Sequence, residues 1–157
     1  MNQTQPLKIA FIQASWHSDI VRQSYAGFVT EVEKHGIHAK QIEVLDVPGS
    51  LEIPLQAQLL AKSGKFSTIV CAGFIVDSGI YRHEFVAQSV LDGMMRVQLD
   101  NEIPIMSIVL TPHQFQNSKE HQDFFFEHFY EKGKEAAVAC LQTLKNMSEF
   151  AGNEVAA

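Results

Sequence analysis

The amino-acid sequence predicts an α/β protein, with a three-layer α/β/α sandwich built around a four-stranded, mostly parallel sheet. Two observations favour this class: short apolar runs alternate with longer amphipathic stretches, and the alternation gives the order βαβαβαβα. A helix between consecutive strands returns the chain across the sheet, so the strands run parallel and helices cover both faces. The 157 residues suit one domain, 1–157, whose core we expect from about residue 8 to residue 147.

Four short segments have the composition of strands. The first is an apolar run, the second alternates between apolar and polar residues, and the last two are rich in branched apolar residues. Turn-forming residues follow them, such as Pro48-Gly49 after the second strand and Thr111-Pro112 after the fourth. The predicted strands are residues 7–13, 40–47, 66–76 and 104–110.

Four longer segments have the periodicity of amphipathic helices. Ser18 or Asp19 can cap the first of them, while Gly36 and Gly64 end the first and the second. The third and fourth carry apolar side chains at helical spacing along one face. The predicted helices are residues 18–34, 51–63, 82–99 and 118–147.

Composition and charge exclude several functional classes. A net charge of −6 argues against a large nucleic-acid surface, although a local site can still bind an anion. Cys71 and Cys140 each lie in an apolar run, so no disulfide framework is implied. No apolar run approaches the ~18 residues that span a membrane, and the N-terminal residues lack the pattern of a signal peptide. We therefore expect a cytoplasmic protein without a nucleic-acid or membrane partner.

Ligands of such sheets bind beyond the carboxyl ends of the strands. This rule selects residues 14–17, 47–52, 76–83 and 111–121, where the unusual side chains are concentrated. Trp16, the only tryptophan, follows the first strand and has two interpretations. Its ring can stack on a planar heterocycle, or it can pack against a neighbouring helix, and the sequence favours neither.

The segment after the second strand combines a tight turn, a helix start and a carboxylate. Free amides at a helix start suit polyol or anionic oxygens, and Glu52 can accept hydrogen bonds from hydroxyl groups. The alternative is purely structural, with Ser50 capping the helix and Glu52 interacting with its dipole.

The segment after the third strand is the most informative. A glycine- and serine-containing loop with Gly79 and Ile80 leads into a helix that starts near Arg82 and His83. The loop amides can hold a phosphate with help from Arg82, and His83 can transfer protons. The alternative is a surface histidine at a helix start. The loop is not a P-loop, because the GxxxxGK[ST] pattern is absent.

A polar cluster follows the fourth strand and includes His113, Lys119, Glu120 and His121. The cluster lacks the spacing of known zinc motifs, so we expect no metal site. The phenylalanines at 124–126 and 129 indicate a core or a subunit interface rather than a ligand site.

Three motifs in this order and spacing resemble the lumazine synthase family. They are Val47-Pro-Gly-x-x-Glu-Ile-Pro54, the loop into His83-x-Phe-Val86, and Lys132-Gly133-x-Glu-Ala-Ala137. The chain is similar to the type II branch in particular, through Trp16-His17, Gly79-Ile-Tyr-Arg-His83 and Leu110-Thr-Pro-His113. The resemblance covers residues from about 8 to 147 and implies a flavodoxin-like sheet, the lumazine synthase fold.

The resemblance also implies an activity. Family members condense 5-amino-6-ribitylaminouracil with 3,4-dihydroxy-2-butanone 4-phosphate to give 6,7-dimethyl-8-ribityllumazine, phosphate and water, the penultimate step of riboflavin biosynthesis. They use no cofactor and no metal. Their site lies between subunits of a pentamer, and the type II branch favours a decamer of two pentamers.

The resemblance assigns roles to individual residues. Trp16 stacks on the pyrimidine, backbone groups of Ile75 and Val76 bind the ring edge, and Ser50 and Glu52 hold the ribityl chain. It also assigns His83 to proton transfer and Lys132 to the ribityl group of a neighbouring subunit's site.

Two positions depart from the family pattern. The family's phosphate-binding arginine in the last helix has no counterpart, since no arginine follows Arg96, and Lys119 or His121 would have to replace it. Ser107 stands where many members place a phenylalanine against the ligand.

Two other functions stay open at this point. One is a flavin- or lumazine-binding protein on the same scaffold with little turnover, because the arginine is missing. The other is a receiver-like signalling domain, which needs a phosphoacceptor aspartate with acidic neighbours. Asp46 stands alone before Pro48-Gly49, which argues against that function.

Overall fold

A computed structural model describes residues 6–77 and 82–154 of the chain. Its strands are β1 Ile9–Ala14, β2 Ile42–Val47, β3 Thr68–Phe74 and β4 Ile105–Leu110. Its α-helices are α1 Ser18–Glu33, α2 Ile53–Lys62, α3 His83–Asn101 and α4 Lys119–Glu154. Two short 3₁₀ turns, Ala39–Gln41 and Ser50–Glu52, precede β2 and α2.

The four strands form one sheet in the order β2-β1-β3-β4, and all three pairings are parallel. Ile9 of β1 is opposite Ile42 of β2 on one side and Thr68 of β3 on the other, and β3 also pairs with β4. The β1 and β3 strands therefore occupy the centre of the sheet. Every residue of these two strands is buried, as expected for strands covered on both faces. The predicted fold class is confirmed.

Helices cover the two faces of the sheet in pairs. The side chains of β1 alternate, so that Ala10 and Ile12 join a core with α2 and α3, while Ile9 and Phe11 join a core with α1 and α4. Phe28 of α1 and Phe129 of α4 are fully buried in the second core. The sheet is therefore the middle of three layers.

The α1 and α4 helices meet with their backbones in contact. A Cβ atom at Gly133 would lie 2.0 Å from the carbonyl oxygen of Ser24, and one at Gly27 would lie 2.0 Å from that of Tyr130. No side chain fits in either place, since two backbones cannot be moved apart without separating the helices. The two glycines therefore set the distance between α1 and α4.

The element boundaries differ from the sequence prediction at several ends, since β1 starts at Ile9 rather than at residue 7 and β3 spans Thr68–Phe74 rather than 66–76. Neither Ser18 nor Asp19 caps α1, because His17 occupies the cap position in a left-handed conformation with φ 51°. Residues 39–41 form a 3₁₀ turn rather than the start of β2, and Gln41 accepts a hydrogen bond from the His38 amide at 3.0 Å. The α2 helix starts two residues later than predicted, after the second 3₁₀ turn, and α4 continues to Glu154.

The helices of residues 6–77 and 82–154 include none with the length and apolar character that crossing a membrane requires.

We expect Gly133→Ala to destabilise the protein by about 1–3 kcal/mol, because the new methyl group overlaps the α1 backbone. The steric loss works against the roughly 1 kcal/mol of stability that alanine gains over glycine from its higher helix propensity. Gly93→Ala in α3 is the matched control, since its Cβ would meet only the Pro54 ring, at 2.9 Å, and should cost less. Urea unfolding at one protein concentration measures both variants. If Gly133→Ala is as stable as the wild-type protein or more stable, the backbone contact between α1 and α4 is contradicted.

Candidate active site

A cavity of about 460 Å³ opens at the carboxyl edge of the sheet. It lies where β1, β2 and β3 end, which is the position expected for a ligand site in a parallel sheet. Its volume is within the usual range for a small-molecule pocket. The cavity is lined by Trp16, His17, Pro48, Gly49, Ser50, Leu51, Glu52, Phe74, Ile75, Val76, Asp77, His83 and Val86.

The Trp16 indole forms one wall of the cavity. Its side chain is 65% exposed, so it is not packed into the core between helices. Trp16 Cδ1 and Nε1 lie 3.7 Å from the position that a Cβ of Gly49 would take, so the ring stands beside the turn after β2. An exposed indole at a cavity wall offers a flat apolar surface for stacking, which favours the first of the two interpretations.

His17 holds the chain at this wall in an unusual conformation. Its φ of 51° lies in the left-handed region, which costs a non-glycine residue on the order of 1 kcal/mol or more. Its carbonyl accepts hydrogen bonds from the amides of Ile20 and Val21, both at 3.0 Å, which starts α1. The His17 ring packs edge-on against Phe74 and Phe115, with centroids 5.6 and 5.2 Å away. These contacts fix the backbone from which Trp16 projects.

The turn after β2 is held by a carboxylate. The Gly49 amide donates to Glu52 Oε2 at 2.8 Å, and the Ser15 amide and hydroxyl both donate to the Val47 carbonyl at 2.9 Å. Glu52 stays exposed while it closes the turn. Glu52 thus has a structural role in the turn, which differs from the predicted interaction with the helix dipole, and its exposure leaves it accessible to a ligand as well.

Ser50 lies against the end of β3 because Gly73 has no side chain. A Cβ atom at Gly73 would lie 2.5 Å from Ser50 Oγ and 3.4 Å from Ile53 Cδ1. Ser50 makes no side-chain cap to α2, contrary to the structural alternative, since the α2 cap residue is Glu52.

His83 is bound to a carboxylate at the cavity edge. Its Nδ1 lies 2.8 Å from Asp77 Oδ1, and its backbone N–H donates to the same oxygen at 2.9 Å. The His83 side chain is only 11% exposed, whereas Asp77 is 62% exposed. The backbone hydrogen bond, the side-chain hydrogen bond and the positive charges of His83 and Arg82 hold the pKa of Asp77 below its ordinary value. Asp77 is therefore an ionised acceptor at neutral pH.

Asp77, His83 and Glu84 place ligand atoms within 4.8 Å of one another, as a metal site would require. The Nδ1 atom of His83 is already engaged by Asp77, and both carboxylates are exposed. The arrangement is that of a carboxylate–imidazole pair suited to proton transfer.

Six of the predicted site residues line the cavity: Trp16, Ser50, Glu52, Ile75, Val76 and His83. The Ile75 amide donates to the Leu110 carbonyl at 2.9 Å, which fixes the strand end beside the cavity. Arg82 is exposed at the start of α3, next to the lining residues. Gly79 and Ile80 lie outside the described residues.

Four other predicted residues do not line the cavity of their own chain. Ser107 is exposed on β4, opposite Cys71, and Lys119 pairs with Asp123 at 2.8 Å. His121 Nδ1 accepts a hydrogen bond from the Gln116 amide at 3.0 Å. Lys132 pairs with Glu135 at 2.7 Å on α4. The cavity of one chain thus has no lysine or arginine among the described residues that line it.

Sequence reasoning missed several lining residues. The most important is Asp77, which the sequence analysis did not select as a site residue. Its position six residues before His83, in the segment between β3 and α3, is the signal that could have found it. His17 and Gly49 lie in segments that the strand-end rule had selected, whereas Phe74 ends a buried strand and gave no signal.

Comparison with known proteins now identifies the family. The sequence model of 6,7-dimethyl-8-ribityllumazine synthase matches residues 6–148. The chain belongs to the lumazine synthase family. A relative from Pseudomonas syringae pv. tomato, named 6,7-dimethyl-8-ribityllumazine synthase 2, is 54% identical over 89% of this chain and 82% of its own.

Two further relatives have similar identity. The 6,7-dimethyl-8-ribityllumazine synthase of Rhodococcus erythropolis is 49% identical over 94% of this chain and 95% of its own. The 6,7-dimethyl-8-ribityllumazine synthase 2 of Bradyrhizobium diazoefficiens is 48% identical over 97% of this chain and 91% of its own. The predicted family is confirmed, and the number 2 in two of the three names agrees with the predicted type II branch. Nothing in these comparisons favours a binding protein or a signalling domain.

We expect Gly73→Ala to destabilise the protein by about 1–3 kcal/mol, because the added methyl group overlaps the Ser50 hydroxyl. The double variant Ser50→Ala/Gly73→Ala removes the overlapping oxygen and should recover most of that loss. Urea unfolding of Gly73→Ala, Ser50→Ala and the double variant gives the coupling between the two positions. If the losses of stability in the two single variants add up to the loss in the double variant, the contact between Ser50 and position 73 is contradicted.

Proposed function

We propose that this cavity is the substrate site of a lumazine synthase. The reaction joins 5-amino-6-ribitylaminouracil to 3,4-dihydroxy-2-butanone 4-phosphate and yields 6,7-dimethyl-8-ribityllumazine, the penultimate compound of riboflavin biosynthesis. Membership of the family supports the reaction. The observation that carries the site assignment is that an exposed tryptophan and a carboxylate-bound histidine line one cavity.

The shape of the cavity suits the pyrimidine substrate. The pyrimidine ring of this substrate stacks on the exposed indole of Trp16, and the edge of the ring forms hydrogen bonds with backbone groups of Ile75 and Val76. The ribityl hydroxyls bind Ser50 and Glu52, which offer a hydroxyl and a carboxylate at the turn after β2. Both substrates are then held together, and orientation of this kind supplies effective molarities of about 10⁵ M or more.

The chemistry requires proton transfers rather than a strong nucleophile. The substrate amine attacks the ketone, water leaves to form an imine, phosphate is eliminated, and ring closure releases a second water. Each step is an addition, an elimination or a proton movement between substrate atoms, so the proposed reaction needs no cofactor and no metal. An imidazole is suited to such transfers near neutral pH, and His83 is the imidazole that we assign to them.

The phosphate group needs cationic or amide partners, and the described residues that line the cavity include no lysine or arginine. Arg82 stands next to the cavity, and Gly79 and Ile80, whose amides we assign to the phosphate, precede Arg82 closely in sequence. Lys119 or His121 supplies further positive charge in our proposal, in place of the family's arginine. Ser107 and Lys132 then complete the site from an adjacent subunit.

We therefore propose a pentamer-based homo-oligomer, with a decamer as the assembly. Two features support it: the predicted site residues outside the cavity, and an apolar outer surface on α2 and α3 that water would otherwise contact. The exposed side chains of that surface are Leu55, Leu59, Leu91, Met95 and Leu99. The cytoplasmic location stays a prediction.

The direct test is formation of 6,7-dimethyl-8-ribityllumazine by the purified protein, followed optically and corrected for spontaneous condensation. We expect His83→Ala to lower kcat by about 10²-fold, the lower range for loss of a general acid–base group. His35→Ala is the matched control, because His35 is exposed outside the cavity. Product unchanged in His83→Ala would contradict the proton-transfer role, and no product above background would contradict the enzyme assignment.

The shared site can be tested with two defective variants. Each site would combine His83 of one subunit with Lys132 of its neighbour. We expect oligomers co-assembled from equal amounts of His83→Ala and Lys132→Ala to recover about one quarter of the wild-type activity, since one site in four receives both intact residues. Each variant alone, treated in the same way, is the control. Activity no higher than the mean of the two controls would contradict a site shared between subunits.

A further inference from the structure

The Asp77 carboxylate makes two hydrogen bonds with one oxygen atom. Its Oδ1 receives the backbone N–H of His83 at 2.9 Å and lies 2.8 Å from Nδ1 of the same residue. The Arg82 cap position of α3 has no side-chain hydrogen bond to the helix, so Asp77 takes over that task from outside the helix. One carboxylate thus holds both the first turn of α3 and the imidazole ring.

The hydrogen bond determines where the imidazole carries its proton. The backbone and side-chain hydrogen bonds from His83 lower the pKa of Asp77, so its carboxylate is ionised at neutral pH and can only accept. Nδ1 must then be the donor, and in the neutral ring the lone pair is on Nε2. Such a partner on the other nitrogen is the usual way in which proteins fix a histidine tautomer.

We propose that Asp77 is a positioning residue for His83, which fixes the ring so that Nε2 exchanges the proton with the substrates. This inference rests on the proposed role of His83. Nε2 takes the proton that the substrate amine loses on adding to the ketone. The imidazolium returns it to the alkoxide oxygen, which gives the carbinolamine and restores the neutral ring. Nε2 then relays the remaining N–H proton of the carbinolamine to its hydroxyl group, which leaves as water while the C=N bond forms. Between these steps the Asp77 carboxylate stabilises the imidazolium through Nδ1.

Other charged groups lie near the imidazole, and none takes the place of Asp77. Glu84 Oε1 is 3.9 Å from Nε2, which is beyond hydrogen-bond distance. Glu52 lines the same cavity but binds the Gly49 amide, and Arg82 acts on Asp77 through its charge. His17 also lines the cavity, with its ring packed against phenylalanines. Asp77 is the group in hydrogen-bond contact with the ring of His83.

The decisive experiment is a double-mutant cycle with Asp77→Asn, His83→Ala and the combined variant. Asparagine keeps an oxygen that accepts both hydrogen bonds but removes the charge, so α3 keeps its cap. The matched control is Asp92→Asn, an exposed aspartate on α3 outside the cavity that removes the same charge. kcat and KM are measured from pH 5 to about pH 9, corrected for spontaneous condensation.

We expect Asp77→Asn to lower kcat by about tenfold with little change in KM, since the imidazolium loses its counter-charge. The acid limb of the kcat/KM profile should move to lower pH for the same reason, and Asp92→Asn should leave both unchanged. In the His83→Ala background, Asp77→Asn should have no further effect on kcat.

Three outcomes would overturn the proposal. An equal loss in both backgrounds would mean that Asp77 acts only on the start of α3, and an unchanged kcat in Asp77→Asn would mean that the charge is irrelevant. If His83→Ala alone is fully active, the proton-transfer role fails and the Asp77 role falls with it. Lumazine formation by the wild-type protein would still support the enzyme assignment in that case, so the two failures are distinguishable.

Discussion

Helices α1 and α4 touch backbone to backbone, where Gly27 lies against Tyr130 and Gly133 lies against Ser24. This contact brings the long α4 helix down onto the sheet, and Phe129 packs against Phe74 with ring centroids 5.3 Å apart. The Phe74 ring in turn packs against those of Phe115 and His17. A chain of aromatic contacts therefore connects the helix crossing to the wall of the cavity.

The cavity itself results from the register of a parallel sheet. Ala14 of β1 is level with Val47 of β2, and Gln13 is level with Ala72 of β3, so three strands end at nearly the same height. The segments that follow them leave the sheet side by side. Trp16, the turn at Gly49 and Asp77 therefore meet at one edge, although Trp16 and Asp77 are more than sixty residues apart along the chain.

The charge of the cavity supports the proposal that a single chain makes an incomplete site. The protein has a net charge of −6, and the charged lining residues other than histidine are Glu52 and Asp77. A phosphorylated substrate therefore meets a cavity of unfavourable charge unless cations come from elsewhere. This requirement agrees with the proposed assembly, in which an adjacent subunit contributes lysine. The carboxylates keep separate tasks, since Glu52 holds a turn and Asp77 holds an imidazole.

The sequence by itself determined the fold class, the order of the elements and the family, because hydrophobic periodicity and local motifs are properties of contiguous residues. It also selected Trp16 and His83, which lie in two of the segments that follow strands. Tertiary structure alone decided the helix cap at His17, the pairing of Asp77 with His83 and the seating of Ser50 on Gly73. Each of these depends on distances between segments that only the packed sheet and helices bring together, and no local pattern encodes such distances. The separation of Ser107, Lys119, His121 and Lys132 from the cavity of their own chain is a fact of the same kind.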